Sequence, residues 1–415
     1  MKYLVYTVTL MVTLVVGSFF NGYAGRHPLK AGSDLIGPWR GVFTIRPGVE
    51  VPFNFEISGN PADLSISFVN GAEHLKAGRI LERADSVFVQ LDLFDNELAL
   101  KKQGDLLVGV LRKQDGSGLP TPIVAQKGQL YRFKVSNVPP AKDFSGTYDI
   151  SFKSADGEDT KSVGVFTQKG NHLTGTFLRV TGDSRYLEGS VSGQEFQLSG
   201  FIGSSPSLFK GTFGKDGSVN GEVVSARGNQ PFSGVFNKNA ALPDAYHLTF
   251  LKEGYKTLDF SFPNVDGKQI SLTDKKFKGK VVVLMITGTW CPNCMDEATF
   301  FSPWFNKNRG RGVEAIAIHY ERKTDPDYVR KALNNYRKKF DITYDQVIAG
   351  TPSPEEVAKS LPALKNFLSF PTAIFIDKKG NVAKIHTGYS GPATGKYYDE
   401  FVKEFNEEID TLLAQ

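Results

Sequence analysis

Cysteine is nearly absent from this chain, whose 415 residues include only two, Cys291 and Cys294. With no third cysteine there is no disulfide framework to hold the fold together, so stability must come from hydrophobic cores. A four-ligand zinc site is also disfavoured, because such sites usually add a second Cys or His pair and none is present. The length is sufficient for two or three domains.

The chain also lacks a strong excess of charge of one sign. Its formal net charge is +5, and acidic and basic residues are mixed along the sequence instead of forming a basic block. Nucleic-acid binding therefore has no support. The six histidines have no metal-ligand spacing, and we predict that His319 and His386 are strand-end residues. We expect no metal site and no cofactor beyond a redox-active Cys291–Cys294 disulfide.

A long hydrophobic run occurs only at the N-terminus. Residues 3–20 are uncharged, follow Met1 and Lys2, and lead to a small-residue site at Ala24. This pattern predicts a signal peptide over residues 1–24 and export to the periplasm or another extracytoplasmic compartment. The alternative is an uncleaved N-terminal membrane anchor, since the run approaches the roughly 18 residues that a spanning helix requires.

The two cysteines form the motif Trp290-Cys291-Pro292-Asn293-Cys294. If a helix begins at Pro292, this spacing places both sulfur atoms on one face of its first turn, within exchange distance. Cys291 would be the exposed sulfur, and the helix N-terminus should stabilise its thiolate. Cys294, one turn deeper, would resolve a mixed disulfide. We therefore favour redox chemistry over an inert disulfide.

Two apolar runs frame the motif. Residues 280–286 are long enough for a strand buried on both faces, and residues 287–289 make the turn into the motif. Farther on, Pro371 stands at the mouth of a second apolar run, which is followed by a turn at residues 378–381. The motif is therefore predicted to lie at a strand-to-helix junction.

From about Phe260 to the C-terminus the chain resembles the TlpA/ResA-like branch of the thioredoxin superfamily, the extracytoplasmic thiol-disulfide oxidoreductases of bacteria. Four segments in order carry the resemblance: residues 262–268 with Ser271 and Leu272, residues 279–283, the Trp-Cys-Pro-Asn-Cys box, and residues 370–372 with Ile376, Asp377 and Gly380. The resemblance implies an α/β thioredoxin-like fold for the C-terminal part.

The resemblance also implies roles for individual residues. Cys291 would be the nucleophile, Cys294 the resolving thiol and Pro371 a cis-proline that faces the disulfide. Glu297 stands where this branch has an acidic residue thought to manage protons, and a solvated carboxylate is the alternative. The implied substrate-contacting residues are Trp290, Pro292, Asn293, Phe370 and Thr372. Trp290 and Phe370 could instead serve only in packing.

One feature departs from the superfamily pattern. Its members commonly have a helix proline five residues after the second cysteine, where this chain has Thr299, and the proline comes later, at Pro303. A helical Pro303 leaves the Thr299 carbonyl without its helical hydrogen bond, so we expect a kink near residues 300–305.

By the same resemblance we expect a reductase of disulfides in exported proteins, supplied with electrons by a membrane thiol carrier of the DsbD or CcdA type. A disulfide oxidase or isomerase is the alternative, because Pro292 and Asn293 do not determine the direction of electron flow. A thiol peroxidase is disfavoured, since Gly288 replaces the Thr or Ser expected three residues before Cys291. A copper-delivery protein would need a longer cysteine spacing and a partnered histidine.

Residues from about 30 to 240 have a different pattern. Short alternating runs, such as residues 51–57, 86–91 and 105–111, recur between Gly, Asn and Asp turns and predict antiparallel β structure. The pattern also repeats at an offset of about 110 residues, because Gly37 matches Gly146 and Phe88 matches Phe196. We therefore predict two tandem β units of about eight strands each, as barrels or sandwiches.

The predicted domains are residues 25–138 and 142–240 for the β units and residues 248–415 for the thioredoxin-like part. An alternative function is a protein whose β units bind a ligand or partner while a dedicated redox domain serves one thiol substrate. The phenylalanines of the β units favour packed cores over a ligand cage.

Overall fold

The structure is a computed structural model that describes residues 33–91, 93–134, 136–154 and 159–415. The predicted signal peptide, residues 1–24, lies outside these ranges. Within them, none of the helices combines the length and the apolar character needed to cross a membrane. The chain folds into two β barrels followed by an α/β domain.

Eight antiparallel strands form the first barrel, which closes where its first strand pairs with its last. Side chains alternate between the interior and the outside, so that Phe53, Phe55 and Ile57 all point into the core. The strands are β1 (Gly37–Arg46), β2 (Val49–Asn60), β3 (Asp63–Asn70), β4 (Glu73–Arg83), β5 (Ser86–Leu91), β6 (Asn96–Gln103), β7 (Leu106–Lys113) and β8 (Thr121–Lys127).

The second barrel is built in the same way. Its strands are β9 (Gly146–Phe152), β10 (Thr160–Lys169), β11 (His172–Arg179), the two-residue β12 (Gly182–Asp183), β13 (Leu187–Ser192), β14 (Glu195–Gly200), β15 (Ser207–Phe213), β16 (Ser218–Ser225) and β17 (Gly228–Phe236). Apart from β12, which pairs only with β11, these strands form a sheet that closes where β10 pairs with β11. The prediction of tandem β units is confirmed, and both units are closed eight-stranded barrels.

The internal repeat is visible in the strands, with one error of register. Gly37 opens β1 and Gly146 opens β9, with φ values of 125° and 135° that glycine adopts most readily. Phe88 and Phe196 both lie on the fifth main strand of their barrels. Phe196 is buried, whereas Phe88 is only partly buried and its neighbours on the strand point inward. Because side chains alternate along a strand, this match is one residue out of register.

Phe201, which follows β14 of the second barrel, packs into the core of the first barrel. Its ring centroid lies 4.7 Å from that of Phe43, 4.9 Å from that of Phe53 and 4.7 Å from that of Phe68. Asn70 of the first barrel holds the same residue by its backbone, since its side chain donates to the Phe201 carbonyl at 3.0 Å and accepts from the Phe201 N–H at 3.2 Å. The two barrels therefore share part of one core.

The C-terminal domain has a central five-stranded sheet. The strands of the whole domain are β18 (Phe250–Leu251), β19 (Phe262–Pro263), β20 (Gln269–Ile270), β21 (Val281–Thr287), β22 (Val313–Tyr320), β23 (Asp345–Gly350), β24 (Leu364–Lys365), β25 (Thr372–Ile376) and β26 (Val382–Thr387). The helices of the domain are α1 (Pro292–Asn308), α2 (Pro326–Phe340), α3 (Pro354–Ser360) and α4 (Lys396–Ala414). Short 3-10 helices cover Ser33–Leu35, Ala245–His247, Lys275–Phe277, Arg309–Arg311 and Pro392–Thr394.

The sheet order is β23-β22-β21-β25-β26, with β21, β22 and β23 parallel and the other pairs antiparallel. All residues of the central strand β21 are buried, as expected for a strand covered on both faces. The predicted thioredoxin-like fold is confirmed.

Helix α1 continues through Pro303 to Asn308. Phe301 and Phe305, two residues to either side of the proline, are buried and both meet the ring of Tyr344, with centroids 5.4 Å away in each case. Aromatic packing on both sides of the proline supports this part of the helix.

Replacing Phe201 with alanine should destabilise both barrels together. The substitution leaves a cavity enclosed by three other rings. Creating such a cavity by Phe→Ala lowers the free energy of unfolding by about 3–5 kcal/mol. The loss is measured as the change in the free energy of unfolding in urea. The matched control is Phe236→Ala on the outside of the second barrel, where the residue is 49% exposed and the expected loss is about 1 kcal/mol. Equal losses for the two variants would contradict a shared core.

Candidate active site

Cys291 and Cys294 lie where strand β21 passes into helix α1. Cys291 is the N-cap of the helix and Pro292 occupies its first position, as the sequence predicts. The backbone N–H of Cys294 donates to Cys291 Sγ at 3.3 Å. An amide that would otherwise lack a partner at the helix N-terminus therefore meets the sulfur atom. Both cysteines are free thiols in this structure.

Cys291 is not the exposed sulfur that the sequence predicts, because the residue is only 4% exposed and Cys294 is 1% exposed. Two contacts lie at or next to Cys291. The Phe370 carbonyl oxygen lies 3.5 Å from Cys291 Sγ, and a segment of the second barrel lies against Pro292 and Asn293. The prediction was wrong because the local spacing of the motif contains no information about another domain.

Cys294 is the more deeply buried of the two thiols. Burial raises the pKa of its thiol well above the ordinary value, and contact with the Cys291 side chain adds to this effect. Tyr336 Oη donates to the Cys294 carbonyl oxygen at 2.7 Å and helps to hold this turn of the helix. A protonated thiol attacks disulfides poorly, so Cys294 needs a base before it can resolve an adduct.

Glu297, on helix α1, is the carboxyl group whose charge acts on Cys294. It is 5% exposed and is therefore not a solvated carboxylate. Burial raises the pKa of its carboxyl group to about 8, and its charge contributes to the raised pKa of the Cys294 thiol. The two groups thus interact, and a carboxyl group that titrates near neutral pH can accept and return a proton.

Beside the dithiol lie three apolar side chains, those of Trp290, Phe370 and Pro371. Trp290 Nε1 donates to the Tyr320 carbonyl oxygen at 2.8 Å, and its ring meets the Phe370 ring edge-on with centroids 5.5 Å apart. The Phe370–Pro371 peptide bond is cis, the isomer that the resemblance implies. Both aromatic residues remain partly exposed, so they pack against each other and still offer apolar surface.

Thr372 is placed differently from the other implied substrate contacts. The residue is fully buried at the start of β25, and its Oγ1 donates to the Ser369 carbonyl oxygen at 2.8 Å. Its side chain therefore supports the turn around Pro371 and presents no surface to a partner in this structure.

The sequence did not identify a buried carboxylate behind the motif. Glu321 accepts hydrogen bonds from the backbone N–H and Oγ1 of Thr289 at 2.9 and 2.7 Å, which holds the turn before Cys291. His319 Nδ1 lies 3.4 Å from the same carboxylate. The sequence signal that could have identified this pair was a histidine followed by an acidic residue at the end of an apolar run. The prediction that His319 and His386 are strand-end residues is confirmed on β22 and β26.

A second unpredicted group joins the redox domain to both barrels. Arg185, in the loop between β12 and β13, forms ion pairs with Glu73 of the first barrel and Asp296 of helix α1. Asp183 also faces this guanidinium, and we call these four residues the Arg185 cluster. Burial raises the pKa of Asp296 to about 7. No motif predicts the cluster, because its members come from three domains.

A dithiol at the start of a helix, beside a cis-proline on a sheet of this order, defines a thioredoxin-like thiol-disulfide oxidoreductase domain. Within the described ranges no group of three or more His, Cys, Asp or Glu side chains is arranged to hold a metal ion. Comparison with known proteins agrees with this class: residues 254–385 match the model of the AhpC/TSA family.

Two curated relatives each match about a third of the chain or slightly more. Thiol-disulfide oxidoreductase ResA of Bacillus thuringiensis subsp. konkukian is 30% identical over 166 residues, which are 38% of this chain and 84% of that protein. Thioredoxin-like protein YneN of Bacillus subtilis is 28% identical over 138 residues, 33% of this chain and 73% of that protein. A solved thiol:disulfide interchange protein from Chlorobium tepidum is 23% identical, with a TM-score of 0.29 over 39% of this chain and 98% of that chain. Through its C-terminal domain, this chain belongs to the ResA-like family of thiol-disulfide oxidoreductases.

Replacing Glu297 with glutamine should change how stability depends on pH. Because the folded protein keeps Glu297 neutral up to about pH 8, the wild type loses stability as pH rises from about 4.5, where the unfolded carboxyl ionises, to about 8. The variant lacks this loss. Its free energy of unfolding relative to wild type should therefore rise across that window by on the order of 5 kcal/mol, at 1.36 kcal/mol per pKa unit.

The measurement is urea unfolding of the reduced proteins across the pH range. The control is Glu222→Gln on the surface of the second barrel. Hydrogen bonds from Lys210 and Asn229 lower the pKa of Glu222, so it is ionised in both states above about pH 4.5 and the variant's profile should run parallel to that of the wild type between about pH 4.5 and 8. Asp296 also titrates in this range, but it is common to all three proteins and cancels in the comparison. Parallel profiles for wild type and Glu297→Gln would contradict a neutral buried carboxyl group.

Proposed function

We propose that this protein is an extracytoplasmic protein-disulfide reductase that acts on disulfides of exported proteins. The observation that carries the proposal is the pairing of two different thiols on one helix turn. Cys291 caps the helix N-terminus, where a thiolate is stabilised. Cys294 is buried beside Glu297 with its pKa raised, so it keeps its proton until a base such as Glu297 removes it.

The first step uses Cys291. Its thiolate attacks one sulfur atom of a substrate disulfide held near Trp290 and Phe370, the substrate S–S bond breaks, and the leaving sulfur takes up a proton as the first product thiol. Cys291 is then joined to the substrate by a mixed disulfide. Trp290 and Phe370 supply the partly exposed apolar surface against which the substrate docks.

The second step uses Cys294. Because the pKa of Glu297 is about 8, a minority of molecules carry it as the carboxylate near neutral pH; in these the carboxylate takes the thiol proton, and the Cys294 thiolate attacks Cys291 Sγ. The mixed disulfide breaks and the second substrate sulfur leaves as a thiol after it takes up a proton. The substrate gains two electrons and two protons, and the protein is left with a Cys291–Cys294 disulfide.

Turnover requires a source of electrons outside the protein. In an oxidising compartment a reductase needs a thiol donor, and we propose a membrane carrier of the DsbD or CcdA type. Support for location outside the cytoplasm comes from the predicted signal peptide over residues 1–24 and from the family assignment. The opposite direction, disulfide formation or isomerisation, is the alternative that the redox potential distinguishes.

Replacing Cys294 with alanine should trap substrates as mixed disulfides with Cys291, because the first step proceeds and the second cannot. Extracts treated with the variant and analysed by non-reducing electrophoresis should contain adducts that reductant dissolves. The matched control is the Cys291→Ala, Cys294→Ala double variant, which should capture nothing. A folded Cys294→Ala protein that captures no disulfide protein would exclude exchange through Cys291.

The reduction potential of the dithiol should lie near that of thioredoxin, about −270 mV, and not near that of DsbA, about −120 mV. The reason is that a reductant must hold its electrons less tightly than its substrates do. Equilibration of the full-length protein with glutathione or dithiothreitol redox buffers, read out by thiol alkylation, measures the potential. A value near that of DsbA would assign the protein to the oxidases.

A further inference from the structure

A segment of the second barrel lies directly beside the dithiol. We call residues 180–185 the cap segment; it runs from the end of the β11 hairpin through β12 to Arg185. The backbone N–H of Asp183 donates to Asn293 Oδ1 at 3.4 Å, and Arg185 Nη1 donates to the Pro292 carbonyl oxygen at 3.2 Å. The two residues between the cysteines, which are partly buried, are therefore each held by a hydrogen bond from another domain.

The cap segment also reaches the other side of the active site. Asp183 Oδ2 accepts from the Gly391 N–H at 2.6 Å, and Val180 lies so close to Gly388 that a Cβ at Gly388 would clash with the Val180 carbonyl. Gly388 in turn donates its N–H to the Pro371 carbonyl oxygen at 2.9 Å. The segment thus lies between the first turn of α1 and the loop that supports the cis-proline.

The cap segment packs closely against helix α1 at one point and loosely at another. A Cβ at Gly182, which has a φ of 133°, would clash with the Asn293 side chain, so glycine lets the backbone approach the motif. Next to this contact lies a cavity of about 180 Å³ between the cap segment, residues 200–207 and the start of α1. Few dispersion contacts therefore hold the segment down on that side.

The Arg185 cluster supplies the remaining attraction. The Arg185 side chain is largely buried and pairs with Glu73 and Asp296, which are also largely buried. Asp183 faces the same guanidinium, so three carboxyl groups surround one cation. Removing the cation would leave these carboxyl groups unpaired in a buried site, which strongly disfavours the docked position of the cap segment against helix α1.

We propose that the cap segment is an autoinhibitory cover, held closed by Arg185, and that protein disulfides reach Cys291 only after it has moved away from helix α1. Small reagents need less space than a folded protein and pass the closed segment more readily. The cover therefore sets a size limit on what reacts at Cys291. The identity of the natural opener as a disulfide-bearing protein rests on the proposed function, whereas the cover itself is tested without any disulfide substrate.

The test compares two thiol reagents on full-length reduced protein in the Cys294→Ala background, where Cys291 is the single thiol. One reagent is iodoacetamide and the other a maleimide that carries a polymer the size of a small protein. We expect Arg185→Ala and Asp183→Ala each to raise the ratio of the bulky to the small reaction rate by about tenfold, the order expected for loss of a buried charge-assisted hydrogen bond. Arg112→Ala, in an exposed ion pair of the first barrel, should leave the ratio unchanged.

Asp183→Ala keeps both ion pairs of Arg185, so it remains informative if Arg185→Ala fails to fold. An unchanged ratio in a folded Asp183→Ala protein would overturn the proposal. Reduction of a small aromatic disulfide and of insulin by the same variants, with Cys294 restored, separates the two hypotheses. If neither disulfide is reduced, the proposed reductase function fails, while the alkylation ratio still decides whether the cover exists.

Discussion

The burial of two thiols at the start of one helix is the constraint on which the rest of this structure depends. Burial alone disfavours thiolates, and it raises the pKa of the Cys294 thiol. At Cys291, which caps the helix, the Cys294 backbone N–H donates to the sulfur atom. A strand buried on both faces, β21, brings both residues to this position. Glu297 is buried with them, and burial raises the pKa of its carboxyl group to about 8.

The three domains are joined by contacts of two kinds. Phe201 connects the barrels through apolar packing, which is strong but carries no charge. Arg185 connects both barrels to the redox helix through buried ion pairs, which are costly to break but contribute little beyond their own desolvation. The apolar packing of Phe201 therefore suits a contact between the barrels that stays closed. The ion pairs of Arg185 suit a contact that can open, because the separated charges regain their hydration. In both barrels the interior is packed with apolar side chains, phenylalanines among them.

Much of the fold could be predicted because its signals are local. Alternating side chains predict the strands of both barrels, and the apolar run before the motif predicts β21. The register of the two barrel repeats was harder to predict. Phe88 and Phe196 are on equivalent strands, yet their side chains point in opposite directions. At the site, the resemblance implied a substrate contact for Thr372, and the structure adds that its hydroxyl is buried and donates to the Ser369 carbonyl oxygen.

The sequence by itself determined the chemistry, because a Cys-Pro-Asn-Cys pair at a helix start and a proline before a strand are features of a few neighbouring residues. Only the tertiary structure decided how accessible that chemistry is. Glu73, Asp183 and Asp296 are far apart in the chain and meet around Arg185 only after three domains have folded and docked. Spacing along a sequence describes contacts within one element, and it contains no measure of which surfaces of separate domains will face each other.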